Sequence, residues 1–222
     1  IESEWWALKE IWKKGLLYEG HKIVPYCPRC GTPLSSHEVA QGYKDVKERS
    51  AVVRFKVKGE DAYILAWTTT PWTLPSNVAL CVNPDEDYVK VTSKGYTYYM
   101  AAALVDTVLG EGAEVLEHYQ GKDLEFKEYE PLFPYAEKRI GNKKAYYVVC
   151  DTYVTLTDGT GVVHIAPAFG EDDSKVGHRY DLPFVQLVNE KGEMTEETPW
   201  AGTFCKKADM AVLQALEDKD LL

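Results

Sequence analysis

The chain has 222 residues, 45% hydrophobic and 27% charged. That suits one large domain, or one domain with a small appendage, and excludes disordered, collagen-like and coiled-coil architectures. Lys plus Arg number 25 against 35 Asp plus Glu, a net charge of −10, whereas a domain that wraps nucleic acid through phosphate contacts runs basic, so composition alone argues against a nucleic-acid partner.

Every apolar stretch is broken by charge within a few positions, far short of the roughly 18 residues a membrane-spanning helix needs, so a soluble chain with no membrane partner is expected. The sequence opens at Ile1 with neither an initiator Met nor a signal-peptide pattern, and this start reads as a cut end of something larger. Five cysteines, of which Cys27 and Cys30 alone are close together, make no disulfide framework and fit a reducing, cytoplasmic setting.

In chain order, Ser3 can cap a helix in which Trp5, Leu8, Ile11, Trp12, Leu16 and Leu17 recur at helical spacing, predicting one buried face and an end near Gly20. The segment Cys27-Pro28-Arg29-Cys30-Gly31 is too rich in Pro, Cys and Gly for regular structure and reads as a tight knuckle. From Ala51 the character changes: β-branched and aromatic runs at Val52 to Val57 and Ala62 to Thr68 flank Lys58-Gly59-Glu60-Asp61, a hairpin signal. Further strands are predicted at Val78 to Val82, Tyr88 to Thr92, Tyr96 to Met100, Glu114 to Tyr119, Ala145 to Cys150, Gly161 to Ile165 and Pro183 to Val188. Helices are predicted at Ala101 to Leu109, stopped by Gly110, at Glu171 to Tyr180, and at Lys207 to Asp218. Many short strands with few helices between them predict a mainly β fold with peripheral helices, a curled sheet or β-barrel-like domain rather than a doubly wound one.

Two segments carry candidate chemistry. Trp67-Thr68-Thr69-Thr70-Pro71-Trp72-Thr73-Leu74-Pro75-Ser76-Asn77 stands at a strand end. Its two prolines forbid pairing past Thr70 and predict an extended loop bearing several hydroxyls, which can hold a water or a substrate oxygen. The same residues also suit threonines at a strand end with Pro-Trp packed over a barrel mouth. The second segment runs from Asp158 through Gly159, Thr160, Gly161 and His164 to Gly170-Glu171-Asp172-Asp173. Acids in a first helical turn suit the helix dipole and cap free N–H groups. An acid projecting beyond the helix start would instead pair with an ammonium group. For His164, a hydrogen-bonded histidine in a half-buried strand is the plain alternative.

Cys27 and Cys30 have the spacing of half a zinc knuckle, since a structural zinc site takes four ligands. Cys81, Cys150 and Cys205 each stand alone, and His21 and His37, though near, lack standard ligand spacing.

Together the two segments resemble the editing insertion, or connective polypeptide, of isoleucyl-tRNA synthetase. Thr68-Thr69-Thr70-Pro71-Trp72-Thr73-Leu74-Pro75 is similar to that family's threonine-rich motif; valyl and leucyl relatives carry Arg-Pro after two threonines. The run from Gly159 to His164 and on to Asp173 looks like the second motif, and Tyr26-Cys27-Pro28-Arg29-Cys30-Gly31 resembles the segment by which the insertion leaves the aminoacylating domain. The resemblance covers essentially the whole chain. It implies a β-barrel-like editing domain of class I aminoacyl-tRNA synthetases at 49–222, with 1–48 as a helix and Cys knuckle linking to the synthetase body.

The implied function is hydrolysis of valine mischarged onto isoleucine tRNA, with valyl-adenylate as a further candidate substrate. A hydrophobic pocket gains only about 1–3 kcal/mol from the methylene that separates isoleucine from valine, a figure established for this very pair of amino acids and taken over as such. A second, smaller pocket must therefore remove the wrong product. By resemblance, Asp173 holds the α-ammonium of the misattached amino acid, and Thr69 and Thr70 contact the substrate and position the attacking water. His164 limits the side chain admitted, and Thr68, Trp72 and Asn77 shape the pocket. An unassisted threonine hydroxyl is a poor general base at neutral pH. The same resemblance implies that editing needs no cofactor. Zinc belongs to the full-length enzyme, where another CxxC pair completes the half-site of Cys27 and Cys30, and ATP serves the aminoacylating domain. The implied partners are the acceptor end of isoleucine tRNA and the remainder of the synthetase chain. Two other readings are a non-hydrolytic module that binds the tRNA acceptor end and a zinc-ribbon interaction module built on Cys27 and Cys30.

Overall fold

Eight strands form one curled mixed sheet in the computed structural model, which describes residues 1–20 and 22–222. In chain order the elements are α1 (Glu2–Lys13), the short pair β1 (Tyr26–Cys27) and β2 (Thr32–Pro33), α2 (Ser36–Ala40), β3 (Ala51–Lys56) and β4 (Tyr63–Thr68). Next come β5 (Ala79–Val82), β6 (Asp87–Ser93), β7 (Tyr96–Ala101), α3 (Val105–Leu109), β8 (Glu114–Gln120) and α4 (Glu137–Ile140). The chain closes with β9 (Tyr147–Cys150), β10 (Val162–Ile165), α5 (Glu171–Arg179) and α6 (Cys205–Glu217).

The strand order is β8-β6-β7-β4-β10-β5-β9, with β3 joined to β4 off that path. The fold is mainly β with peripheral helices, as the pattern of short strands predicts. β4 is the branch point. It pairs antiparallel with β3 along its length, in parallel with β7 at Tyr63 and Ile64, and in parallel with β10 at Trp67, which faces Val163. That last pairing joins the end of β4 to the middle of β10, two strands that are distant in sequence.

Period-2 side-chain alternation divides the core. Leu80 and Val82 of β5 pack with Phe55, Tyr88 and Val148 inside the curl, while Ala79 and Cys81 face the other way, toward Val149, Ile165, Val176 and Leu187. β5 and β9 are buried at every position because both their faces are covered. Val176 of α5 belongs to the second cluster, so burial of that helix fixes the position of its first turn beside the end of β10.

Five sequence expectations are corrected. α1 begins at Glu2 with Ile1 at its N-cap, so Ser3 lies inside the helix and does not cap it; Trp5 N–H bonds the Ile1 carbonyl at 3.0 Å. The helix stops at Lys13, where the backbone turns through Gly15 at a φ of 68°. None of its residues is buried, and Trp5, Trp6, Leu8, Ile11 and Trp12 are exposed. Apolar spacing specifies such a face, but no described part of the chain covers it. Residues 71–76 form a 3₁₀ turn rather than an extended loop. Pro71 sits at its first positions, where a fixed φ suits a helix start and a missing N–H costs nothing. Finally, 183–188 is not a strand: Leu182, Val185 and Leu187 are buried, yet the segment's one ladder contact is a bridge from Val188 to Met194. Its alternation orients side chains without supplying a partner strand.

Candidate functional site

The Trp67–Val163 pairing brings the two motifs together, because it sets the end of β4 beside the middle of β10. Thr68, Thr69, Thr70, His164 and Asp173 meet at one cavity of about 260 Å³, together with Thr73. Its apolar wall is Trp67, Val163, Ala166 and Phe169. Thr69 is exposed at the mouth and also lines a neighbouring depression with Arg49 and Lys206.

The 3₁₀ turn organises the hydroxyls. In that geometry residues three apart eclipse one another, so Thr73 lies under Thr70. The Thr73 hydroxyl donates to the Thr70 carbonyl at 2.7 Å, and its oxygen lies 3.3 Å from Thr70 Oγ1. Thr70 Oγ1 is 3.4 Å from Thr68 Oγ1, which accepts the Thr70 backbone N–H at 3.0 Å. His164 Nε2 stands 2.9 Å from Thr73 Oγ1. The ring is buried, and burial lowers its pKa to about 4, so the imidazole is neutral at pH 7. Its Nδ1 has no hydrogen-bond partner among the described residues.

Asp173 occupies the first turn of α5, where the helix dipole favours a carboxylate. Burial outweighs that effect and raises its pKa to about 6, against the opposing hydrogen bond from the Ala166 backbone N–H. That N–H donates to Oδ2 at 3.0 Å, and the Tyr153 hydroxyl reaches Oδ1 at 3.5 Å. The carboxylate thus folds back over the helix start toward the cavity. Asp172 points outward and pairs with Lys175 at 2.9 Å. At pH 7 Asp173 is mostly ionised, and a carboxylate in so dry a setting is stabilised by a cation placed against it.

Trp72 and Asn77 do not line this cavity. The Trp72 ring packs edge-on against Phe169 at 5.0 Å, and its backbone N–H donates to Asp209 at 2.8 Å, so it backs the apolar wall from behind. Asn77 is buried, donates to the Ala79 carbonyl at 2.8 Å and accepts from the Tyr129 hydroxyl at 2.7 Å, pinning the end of the 3₁₀ turn to the core.

Cys27 ends β1 and Cys30 lies on the knuckle between β1 and β2, closed by Gly31 N–H to the Cys27 carbonyl at 2.8 Å. The Cys30 backbone N–H and then its thiol lower the Cys27 pKa, and the same contact raises that of Cys30. Among the described residues no group of three metal-ligating side chains forms, so this pair does not complete a zinc site here. His21, one of the histidines near the knuckle, lies outside the described residues.

Thr73 and Gly170 stand within the two motifs, but sequence reasoning assigns neither a role in the site, though both lie at the cavity. The i, i+3 spacing of Thr70 and Thr73 is the signal for the first, once a helical turn is recognised after Pro71. The second depends on a side chain folding back, which no spacing reveals.

A family model described as tRNA synthetases class I (I, L, M and V) matches residues 1–200, and the chain belongs to that family. Within it, the chain is 58% identical to an isoleucine–tRNA ligase of Clostridium acetobutylicum and 56% identical to that of Clostridium novyi. Each alignment covers 100% of this chain and 21% of the relative, so the chain spans about a fifth of the enzymes it matches. The resemblance of the two motifs to an isoleucyl-tRNA synthetase is thus borne out over the whole length. Among solved structures, the crystal structure of GlLeuRS-CP1 matches with a TM-score of 0.63 at 14% identity, over 78% of this chain and 97% of that one. Identity this low establishes a shared fold.

Proposed function

We propose that the chain is the hydrolytic editing domain of an isoleucine–tRNA ligase and removes valine esterified to isoleucine tRNA. The observation that carries this reading is the meeting of a threonine hydroxyl cluster, a neutral histidine and a dry carboxylate at one cavity. Ionised Asp173 pairs with the α-ammonium of the bound amino acid, which fixes the ester carbonyl relative to Thr69 and Thr70. Their hydroxyls orient a water. Its oxygen attacks the carbonyl carbon, the bond to the ribose oxygen breaks, and the water's protons pass to that oxygen and to solvent. The neutral imidazole of His164 closes the side-chain end, admitting valine and excluding isoleucine. The chemistry is positioning and electrostatics, with no threonine acting as a base.

In this reading the −10 charge does not exclude a tRNA partner, since an editing pocket takes the acceptor end alone while phosphate contacts lie on the rest of a cytoplasmic synthetase. The test is a titration with a non-hydrolysable amide analogue of valyl-adenosine, followed by backbone NMR. Shifts at Thr69, Thr70 and Asp173, with none from the isoleucyl amide, support the proposal. Saturation that leaves those signals unmoved overturns it.

A further inference from the structure

A hydroxyl has one proton, and Thr73 spends it on the Thr70 carbonyl at 2.7 Å, its shortest contact. Toward every other neighbour its oxygen is therefore an acceptor. His164 Nε2, 2.9 Å away, must then carry the ring's proton, which leaves Nδ1 unprotonated. By the same logic the Thr70 hydroxyl, 3.3 Å away, donates to Thr73. The Thr68 hydroxyl, 3.4 Å from Thr70 Oγ1, donates to Thr70 in turn. Hydrogen bonding thus runs in one direction, from Thr68 through Thr70 to Thr73, and His164 joins at the same oxygen.

We propose that Thr73 is a positioning residue whose single side-chain oxygen holds both working parts of the cavity: it locks His164 as the Nε2–H tautomer and aims the Thr70 hydroxyl. The inference deepens the editing reading and rests on it for its functional half. Selectivity and water positioning are then coupled through one atom. The ring that limits the admitted side chain cannot tilt without losing its bond to Thr73. The Thr70 oxygen, its proton committed to Thr73, meets the attacking water as an acceptor. In that tautomer the buried Nδ1, which has no partner among the described residues, carries no proton.

Three chains separate the possibilities: the wild type, Thr73→Ser, which keeps the oxygen, and Thr73→Val, which keeps the shape without it. Two-dimensional NMR of the His164 ring nitrogens reads the tautomer. The wild type and Thr73→Ser are expected to show Nε2 protonated and Nδ1 bare, and Thr73→Val to show exchange-averaged shifts. In deacylation, Thr73→Val is expected to lose about fivefold or more in preference for the valyl over the isoleucyl ester, the equivalent of one hydrogen bond. Thr73→Ser is expected to restore it. A single Nε2–H tautomer persisting in Thr73→Val overturns the proposal, as does an Nδ1–H form in the wild type, which decides the matter even if the valine variant fails to fold. If the wild type cleaves neither ester, the editing reading fails while the tautomer arm still tests Thr73.

Discussion

The Asp173 carboxylate occupies the space that a side chain at Gly170 would need: a Cβ built there would stand 2.8 Å from Asp173 Cγ and 3.0 Å from both carboxylate oxygens. Gly170 has an ordinary extended φ of −126°, so its requirement is spatial and not conformational. A missing methyl lets an acid in the first turn of α5 fold back to the Ala166 N–H.

Gly170→Ala is therefore expected to displace the carboxylate while α5 stays anchored through Val176. A displacement near 1 Å costs an oriented reaction on the order of a hundredfold in rate. Single-turnover release of valine checks this. A rate within twofold of wild type would show that the carboxylate's position is not limiting.

Two buried groups give the stability a pH dependence of opposite signs. Burial raises Asp173 from 3.8 to about 6, so between those values the folded chain holds a proton that the unfolded chain has lost, and this contribution is lost as pH rises through 6. Burial lowers His164 from 6.5 to about 4, so over that interval the unfolded chain binds the extra proton and stability rises with pH. The two oppose each other between about 4 and 6. Asp173→Asn is expected to raise stability at pH 7 by about 1–3 kcal/mol and by little at pH 4. Denaturant melts at both pH values test it, and equal gains at both would contradict the assignment.

Among the cavity's side chains activity should follow Asp173, because His164 is already neutral above pH 4. The kcat/KM for valyl-ester hydrolysis is expected to rise as Asp173 ionises near pH 6, to fall again as the substrate's α-ammonium loses its proton at about pH 8, and to vanish in Asp173→Ala, for want of the ammonium's partner. A flat profile from pH 5 to 8 would remove the carboxylate from the mechanism.

Shortening the ring tests the size limit. His164→Ala is expected to open the cavity so that the isoleucyl ester is cleaved too, with a loss of stability from the void. Continued protection of the isoleucyl ester would contradict a steric role for His164.

Asn77 belongs to the framework. Asn77→Ala leaves the Tyr129 hydroxyl buried without its acceptor, and about 1–3 kcal/mol of stability should be lost. The preference between valyl and isoleucyl esters should survive, and its collapse at full stability would place Asn77 in substrate contact.

Much of this was legible in the sequence, because strands written as alternating apolar and β-branched residues fold as such. Val52 to Thr68 forms the predicted hairpin, and Gly110 ends α3 with a φ of 72°. What escaped depends on partners distant in sequence. Trp5 and Trp12 promise a buried face that no described part of the chain covers, and Val185 and Leu187 alternate without a strand to pair with. The meeting of Thr68–Thr70 with His164 was implied by resemblance alone, whereas its physical cause, the parallel contact of Trp67 with Val163, is tertiary. Thr73 and Gly170 escaped for the same reason, since their importance lies in which atoms fold back onto them.

The most direct measurement is deacylation of two esters on one acceptor, valyl and isoleucyl, both on isoleucine tRNA, by the wild-type chain and by Asp173→Ala. The account predicts that the wild-type chain releases valine and spares isoleucine, and that Asp173→Ala releases neither. Survival of both esters at high concentrations of the wild-type chain, or equal cleavage of the two, would contradict it.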